Sequence, residues 1–479
     1  MLVAAAVCAG GCLAPRYRAP AVPAPEHYGD ADWEAAAPAD ALPRGPWWER
    51  YGEPLLNDFE ARLERDNPDL AAAVARYNGA RALAVEAGAG LFPTASANGV
   101  ANRDRQSDNR PLRSATQPSE YRDYVLGGTV SYELDLWGRL RNAASASRAS
   151  AQASAADLAV ARLGLEAELA TDFLALRGID VELKLLADTA AAYQHALDLT
   201  RSRHDGGIAS GLDVARAETQ LSSAQAQVID LTARRALYQH AIARLVGAAP
   251  AGFAIAAQPQ LPAVPVIPLG VPSTLVQRRP DVASAERRTA AANALIGVAR
   301  AAYFPRLVLN ANGGYESTAT SGWLSAPNRF WAVGPAAALT LFDAGARGAE
   351  VTRARAAFDE AAARYRSTVL SAFQDVADEL ALVTLLQRES VQQTAAANAA
   401  RHALELANNR YNEGAVSYLE VVVAQTAALE AERTELNLDV RELAASVGLI
   451  RGLGGGWSSN DLPGPATAAS APPPSAAQP

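Results

Sequence analysis

Length, composition and charge limit what this chain can be. It has 479 residues, of which 49% are hydrophobic and 20% are charged, and its formal net charge is −8 at pH 7. A net negative chain offers no basic surface to a nucleic acid, so we predict no nucleic-acid partner. No window holds eighteen consecutive strongly apolar residues, so we expect no transmembrane helix, and any membrane crossing must use strands.

The N-terminal residues carry a predicted export signal. Residues 1–11 are rich in Ala, Val and Gly, and the run Ala9-Gly10-Gly11-Cys12 resembles the lipobox of bacterial lipoproteins. We predict that residues 1–11 are a signal peptide and that Cys12 becomes the lipidated first residue of the mature chain. Leu13 follows, where lipoproteins retained at the inner membrane usually carry Asp, so we expect sorting to the outer membrane. The alternative is an ordinary signal peptide cleaved nearby.

Two similar halves follow a Pro- and Ala-rich lipidated arm at residues 12–46. Repeat 1 spans residues 47–247 and repeat 2 spans residues 273–457, with a Pro-rich linker at 248–272 between them. Residues 458–479 are predicted to be a disordered tail. A repeat of this length predicts that both halves form the same supersecondary unit.

Each repeat is predicted to hold equatorial helices or a helix, then two strands, then a very long helical hairpin. A Phe-Pro pair precedes the first strand in both copies, at Phe92 and Phe304, and a Gly-containing turn separates the long helices, at Gly207 and Gly414. The helices carry apolar residues at sevenfold spacing, which predicts side-by-side packing of knobs into holes. In the last helix this stripe is Val422, Leu429, Leu436, Leu443 and Ile450. The stretch 139–203 would be ~100 Å long as a helix with a rise of ~1.5 Å per residue.

The strand candidates alternate apolar and polar residues. They are Pro93–Arg103, Tyr124–Leu136, Pro305–Glu316 and Arg329–Phe342. Such alternation is typical of transmembrane barrel strands, and equally of a half-buried soluble sheet. In a membrane, four strands cannot close a lumen and an open sheet edge leaves backbone groups unpaired, so several chains must share one barrel. The acids Glu133, Asp135 and Glu316 would then face the lumen.

Several sequence blocks together resemble the outer-membrane factor family, the TolC-like channels of tripartite efflux pumps, and in particular its lipoprotein branch. The most specific block runs from Leu275 through Gln277-Arg278-Arg279-Pro280-Asp281-Val282 to Phe304-Pro305. The further matching blocks are Trp47-Trp48, Asn67-Pro68-Asp69-Leu70, Glu133-Leu134-Asp135-Leu136-Trp137-Gly138-Arg139 and Gly454-Gly455-Gly456-Trp457. The resemblance covers roughly residues 12–460.

The resemblance implies an α+β membrane protein that works as a homotrimer. Its twelve-stranded outer-membrane β-barrel, with four strands from each chain, would continue into a long periplasmic α-helical coiled-coil barrel. Drugs or other toxic solutes would reach it from a periplasmic adaptor and an inner-membrane RND-type pump. Beyond the lipid on Cys12 we expect no cofactor, no metal site and no enzymatic activity, because the five histidines show no metal-ligand spacing.

By resemblance, the turns between the long helices form the periplasmic mouth, where the adaptor docks and a constriction opens; a purely structural hairpin tip is the alternative. Glycine at both turns allows positive φ, and Ser210 and Ser417 are predicted N-caps. The positions carried over are Arg203, Gly207, Ser210, Leu212, Arg410, Gly414, Ser417 and Leu419. Many members carry an acid two residues before the Gln of an Asp-Ala-Gln run, where this chain has Val423. We therefore predict closure of the mouth through Val423 or through Glu420.

Two other functions stay open at this stage. The channel could serve a type I protein secretion system, although the lipobox and the Arg-Arg-Pro-Asp block favour efflux. A lipid-anchored coiled-coil scaffold that conducts nothing is a more distant alternative, which the alternating strands disfavour.

Overall fold

The computed structural model of the chain describes residues 14–22, 45–111, 114, 116, 118–265, 267 and 278–462. The predicted signal peptide, Cys12, Leu13 and most of the predicted tail lie outside the described residues. None of the described helices combines a length of 18 residues or more with the hydropathy of a membrane-spanning segment.

The predicted order of two strands followed by two long helices is confirmed in both repeats. Repeat 1 contains a short 3₁₀ helix at Trp47–Tyr51, α1 at Pro54–Asp66, α2 at Pro68–Ala89, β1 at Thr94–Arg105, β2 at Glu120–Leu134, α3 at Arg139–Asp205 and α4 at Gly211–Leu245. Repeat 2 contains α5 at Pro280–Ala301, β3 at Arg306–Ser317, β4 at Arg329–Ala338, α6 at Ala346–Asn412 and α7 at Tyr418–Gly452. The helices α3 and α6 have 67 residues each, and α4 and α7 have 35 each. A helix of 67 residues is ~100 Å long.

The four strands form one antiparallel sheet in the order β1-β2-β3-β4, with β1 and β4 at its open edges. The register places most of the large apolar residues on one face, because Val130 pairs with both Ala95 and Ala311, and Ala311 pairs with Val333. The opposite face is mostly polar. Several large side chains of the apolar face are exposed: Leu126, Val130, Leu309, Trp331 and Val333.

The helices lie side by side in one layer. Near the sheet the order is α2, α3, α5 and α6, and towards the turns it is α4, α3, α7 and α6. The layer is continuous because α3 and α6 run its whole length, while each shorter helix covers half of it. Its two lateral edges, formed by α2 with α4 on one side and by α6 on the other, have no partner helix among the described residues.

The junction between sheet and helices differs between the two repeats. Trp137 Nε1 donates a hydrogen bond to the carbonyl of Pro305 at 2.8 Å, and its ring stacks on Phe304 with centroids 4.7 Å apart. The equivalent Phe92 is 65% exposed. The Phe-Pro landmark of the second copy therefore holds the two repeats together, while that of the first copy faces outward.

The Arg-Arg-Pro-Asp block forms a second junction. Arg279 is 9% exposed and donates to Asp281 at 2.7 Å, to Asp375 of α6 at 2.9 Å and to the carbonyl of Gly452 at 3.2 Å. One guanidinium thus connects the start of α5, the middle of α6 and the end of α7. The run of glycines after α7 ends that helix, with Gly454 at φ +91° and Gly455 N bonded to Ile450 O at 3.0 Å.

The two repeats approach each other closely where α3 lies against α7. A methyl group built on Gly178 would overlap Cγ2 of Val440, and valine cannot swing aside because its branched side chain is restricted at χ1. We expect Gly178→Ala to lower the stability of the full-length protein by ~1–3 kcal/mol, the usual range for overpacking, measured by thermal melting in detergent.

The matched control is Gly164→Ala on the same helix, where nothing lies within 4 Å of the added carbon. This variant should melt at or above the wild-type temperature, since alanine favours a helix interior by ~0.5–1 kcal/mol over glycine. Adding Val440→Ala to Gly178→Ala should restore part of the loss. Equal melting of the two glycine variants would contradict the close approach.

Candidate functional site: the paired turns

Both 67-residue helices end in the same turn geometry. Gly207 has φ +73° and Gly414 has φ +75°, as predicted, and each sits in a turn closed by a six-to-one backbone hydrogen bond. These bonds run from Ile208 N to Arg203 O and from Ala415 N to Arg410 O, both at 2.8 Å. A side chain at either glycine would strain the backbone, so the sharp reversal depends on glycine.

The returning helices begin differently. Ser210 caps α4 as predicted: its hydroxyl accepts from Asp213 N at 3.2 Å, and the Asp213 carboxylate accepts from Ser210 N at 3.3 Å. Ser417 occupies the N-cap position of α7, but its side chain makes no cap hydrogen bond. Glu420, the counterpart of Asp213, instead lies 3.6 Å from Arg410. The predicted cap is therefore confirmed at Ser210, whereas at Ser417 only the position is.

Arg203 joins the two turns. Its guanidinium donates to the carbonyls of Tyr411 at 3.2 Å and Asn412 at 3.3 Å and lies 4.4 Å from the centre of the Tyr411 ring. These carbonyls belong to the last turn of α6, where a cation is favoured by the helix dipole. We call this set of contacts the tip latch. Only repeat 1 supplies such an arginine, because Arg410, the counterpart of Arg203 in repeat 2, pairs with Glu420 of its own repeat.

An aromatic cluster packs behind the tip latch. Tyr418 is 2% exposed and lies 5.4 Å from Tyr411 between ring centres, and burial raises the pKa of Tyr418 to about 12. The cluster also contains Tyr193, Leu197, Ala217, Leu221, Ala224 and Val421. Sequence reasoning missed these tyrosines. The available signal was the comparison of the copies, since Tyr418 occupies the place that Gly211 takes in repeat 1.

The remaining predicted mouth residues point away from this cluster. Leu212 is 59% exposed, Leu419 is 44% exposed and Val423 is 61% exposed. The side chain of Glu420 is 54% exposed and pairs with Arg410. Since Val421 is buried, the exposed Val423 lies on the side of α7 that the chain itself leaves uncovered.

The predicted lumen acids occupy two different settings. Glu133 and Glu316 lie in β2 and β3 on the polar face of the sheet, and Glu133 accepts two hydrogen bonds from Arg139 at 2.8 Å each. The predicted strand ended too late, because β2 stops at Leu134 and Asp135 follows it. The Asp135 carboxylate accepts from the backbone N–H of Leu140 at 3.0 Å and of Arg141 at 2.8 Å. It therefore serves the N-terminal turn of α3 and is not a strand residue.

Removing the tip latch should separate the turns. We expect Arg203→Ala to lengthen and broaden the distance distribution between spin labels placed at the exposed positions Ile208 and Ala415, because two hydrogen bonds and the ring contact are lost. The matched control is Arg201→Ala, since Arg201 pairs at 2.6 Å with Glu218 inside its own hairpin. An unchanged distribution in Arg203→Ala would show that the latch does not hold the turns.

Comparison with known proteins identifies the family. Residues 61–248 and 271–455 match the family model described as outer membrane efflux protein. The chain is 32% identical over 432 residues to the pyoverdine export outer membrane protein OpmQ of Pseudomonas aeruginosa, covering 89% of this chain and 90% of that protein. It is 32% identical over 460 residues to the toluene efflux pump outer membrane protein TtgI of Pseudomonas putida, covering 94% and 96%. The solved structure of the outer-membrane channel OprN superposes with a TM-score of 0.83 and 31% identity over 93% of this chain and 100% of that one. On these matches, which span both repeats, the chain belongs to the outer membrane efflux protein family.

Proposed function

We propose that the protein is the outer-membrane channel subunit of a tripartite efflux system and conducts small molecules passively to the cell exterior. One observation carries the proposal: a sheet with one apolar and one polar face continues, in a single chain, into helices ~100 Å long. The relatives OpmQ and TtgI are named for the export of pyoverdine and of toluene. The cargo proposed here is accordingly small organic solutes, including drugs and other toxic compounds.

The unpartnered edges support a closed oligomer. In hydrocarbon the edge strands β1 and β4 must be paired, since water cannot satisfy their backbone groups. The helical layer has matching open edges, and its outer helices carry exposed apolar side chains. They are Leu83 and Val85 on α2, Ile229 and Leu237 on α4, and Leu370, Leu382, Leu385, Val391 and Leu406 on α6. A homotrimer closes all edges at once and gives a barrel of twelve strands, which is even-numbered as such barrels usually are.

The two faces of the sheet then have different surroundings. The apolar face with Leu126, Val130 and Trp331 lies against outer-membrane lipid. The polar face lines the lumen, where Glu133 and Glu316 supply negative charge that favours cations. Cross-strand polar contacts, such as Ser131 to Asn310 at 3.0 Å, give this face a hydrogen-bonded surface.

The paired turns form the periplasmic mouth in this proposal. The exposed Leu212, Leu419 and Val423 give the turn ends an apolar surface for an adaptor protein, which connects the channel to an inner-membrane pump of RND type. The mouth closes where three copies of Val423 or Glu420 converge, and the tip latch holds the hairpins in the closed arrangement.

The constriction can be tested by single-channel conductance in a planar bilayer. We expect Val423→Ala to raise the resting conductance, because three side chains shrink at the narrowest ring, and Glu420→Ala to raise it because Arg410 loses its partner. The matched control is Val160→Ala, an exposed valine on the inner helix α3, away from the turns and from the edges of the layer. If neither variant at the mouth differs from this control, the constriction lies elsewhere. A protein without stepwise conductance in any condition would favour a scaffold, and export of a polypeptide would favour a secretion channel.

The N-terminal arm supports a lipid anchor on Cys12. Tyr17 donates a hydrogen bond to the Glu286 carboxylate at 2.6 Å, and Pro15 O accepts from Asn293 Nδ2 at 2.9 Å. The arm therefore lies along α5, with Ala14 against Gly297 near the end of α5 that leads to β3. Ala14, which follows Cys12 by two residues in the sequence, thus lies towards the end of the helices that this proposal places next to the membrane.

The anchor can be tested by Cys12→Ala. We expect the variant to lose the mass of the acyl groups in intact-protein mass spectrometry and to keep the fold, because the arm contacts of Tyr17 do not involve the cysteine. The control Tyr17→Phe should keep the acyl mass. An unmodified wild-type Cys12 would support cleavage by an ordinary signal peptidase.

A further inference from the structure

A buried carboxylate far from the turns has no explanation in the function described above. Glu60, on α1, is 0% exposed, and both of its carboxylate oxygens are buried without a hydrogen-bond partner. It lies among Leu56, Phe59 and Leu63 of its own helix, all within the largest apolar core. An ionised carboxylate in such a place is strongly unfavourable, since neither water nor a cation compensates its charge.

A second carboxylate from another helix enters the same core. Glu166 of α3 is 6% exposed, and its Oε2 accepts a hydrogen bond from Trp47 Nε1 at 3.3 Å. Asn57, one turn before Glu60 on α1, has a buried Oδ1 that also lacks a donor. This region thus holds more acceptor oxygens than donors, and a proton on a carboxyl group would supply the missing donor.

The charged groups around the pair do not replace that proton. From α1 itself Glu64 adds negative charge, and its carboxylate lies 3.5 Å from Arg162 of α3 at the protein surface. The 3₁₀ helix contributes Trp47, and Glu53, the residue before α1, lies 3.8 Å from the buried Arg177. Arg177 in turn bonds Asp180 at 3.3 Å. The facing residues of α7 in this core, Ser446 with Leu443, Val447 and Ile450, are uncharged.

The protonation equilibria agree with this geometry. Burial, and after it the Glu166 carboxylate, raises the pKa of Glu60 to about 10. Burial also raises the pKa of Glu166 to about 7, against the Trp47 hydrogen bond and the charge of Arg162, which lower it.

We infer that Glu60 and Glu166 form a buried proton-binding site, in which Glu60 is held as the neutral acid and α1 is thereby fixed against α3. The segment 47–67, which contains the 3₁₀ helix and α1, contacts both repeats. Tyr51 Oη lies 2.7 Å from Ser446 Oγ of α7, and Asn67 Nδ2 donates to Leu245 O at the end of α4 at 2.8 Å. Loss of the Glu60 proton adds a second negative charge, beside that of Glu166, to the core beneath this segment and weakens its contacts with both repeats. The site is independent of the proposed transport function.

The sign of the pH effect follows from linkage. The unfolded chain releases these protons near the ordinary glutamate pKa of about 4.5, while the folded chain keeps them to higher pH. The stability that the site contributes is therefore full below about pH 4.5 and falls as the pH rises. The fall due to Glu166 ends near pH 7, and the fall due to Glu60 continues to about pH 10. Each retained proton changes the unfolding equilibrium constant by up to about tenfold per pH unit.

The test compares glutamine variants of the full-length protein in detergent across pH 5 to 9. Glutamine has the shape of the protonated acid and cannot ionise. We expect Glu60→Gln to match the wild-type melting temperature near pH 5 and to exceed it increasingly as the pH rises. Glu166→Gln should remove the part of the decline that lies between about pH 4.5 and about pH 7. The control Asp58→Asn, an exposed acid on the same helix, should differ from wild type by a constant amount.

A spectroscopic readout separates a proton from any other occupant. At pH 8 the wild type should show the infrared C=O stretch of a protonated carboxylic acid, and this band should be absent in Glu60→Gln. The inference is overturned if the band is missing, or if Glu60→Gln destabilises the protein equally at all pH values. It is also overturned if added Na⁺ or Ca²⁺ raises the melting temperature of the wild type and not of Glu60→Gln, because the site would then hold a cation.

Discussion

The unpaired lateral edges of a one-layer chain are the constraint on which the rest of this structure depends. The sheet ends in β1 and β4, and the helical layer ends in α2 with α4 and in α6. A layer of this kind cannot bury its apolar residues by folding over itself, because 67-residue helices hold it straight along its length. Burial must come from other copies and from lipid, which explains why so many large apolar side chains are exposed in a single chain.

The same constraint explains where the tight packing lies. Besides α1 and the 3₁₀ helix, which pack across the layer, the contacts are between neighbours within the layer, and the two repeats meet closely along α3, α7 and α5. Gly178 lets α3 approach α7, and Arg279 joins α5, α6 and α7 through four hydrogen bonds. These contacts keep the two hairpins of one chain in a fixed arrangement at the middle of the helices. Movement between the hairpins is then concentrated at their turn ends, which the tip latch and the hydrogen bond from Gln220 to Thr426 at 3.2 Å connect.

Local features were predictable from sequence, and contacts between distant residues were not. The strands, the two long hairpins and the positive φ of Gly207 and Gly414 follow from alternation, sevenfold spacing and glycine, which act within a few residues. The alternation also gave a wrong end for β2, since the pattern continues through Asp135 although β2 stops at Leu134 and Asp135 binds the first turn of α3. Arg203 and Tyr411 are 208 residues apart, and only the side-by-side placement of the two turns makes them partners. Glu60 lies on the apolar stripe of α1 with Leu56 and Leu63, but an acid in a stripe ordinarily indicates an exposed position.

The two repeats of the chain differ at their turns, where movement between the hairpins is expected. In repeat 1 the turn is closed by its own capping box, and Gly211 adds no side chain to the interior. In repeat 2 the cap hydrogen bond is absent and Tyr418 fills the space between the hairpins. The last carbonyls of α6 are bound by Arg203 of repeat 1 in the same chain. The turn of repeat 1 is therefore stabilised by contacts within its own hairpin, whereas the turn of repeat 2 is stabilised in part by Arg203 of repeat 1. A motion that pulled α6 and α7 outward would break the contacts of the tip latch and the hydrogen bond from Gln220 to Thr426, while leaving the capping box at Ser210 intact. In the proposed channel, the part of the mouth that moves would therefore be repeat 2, whose α7 also carries Glu420 and Val423.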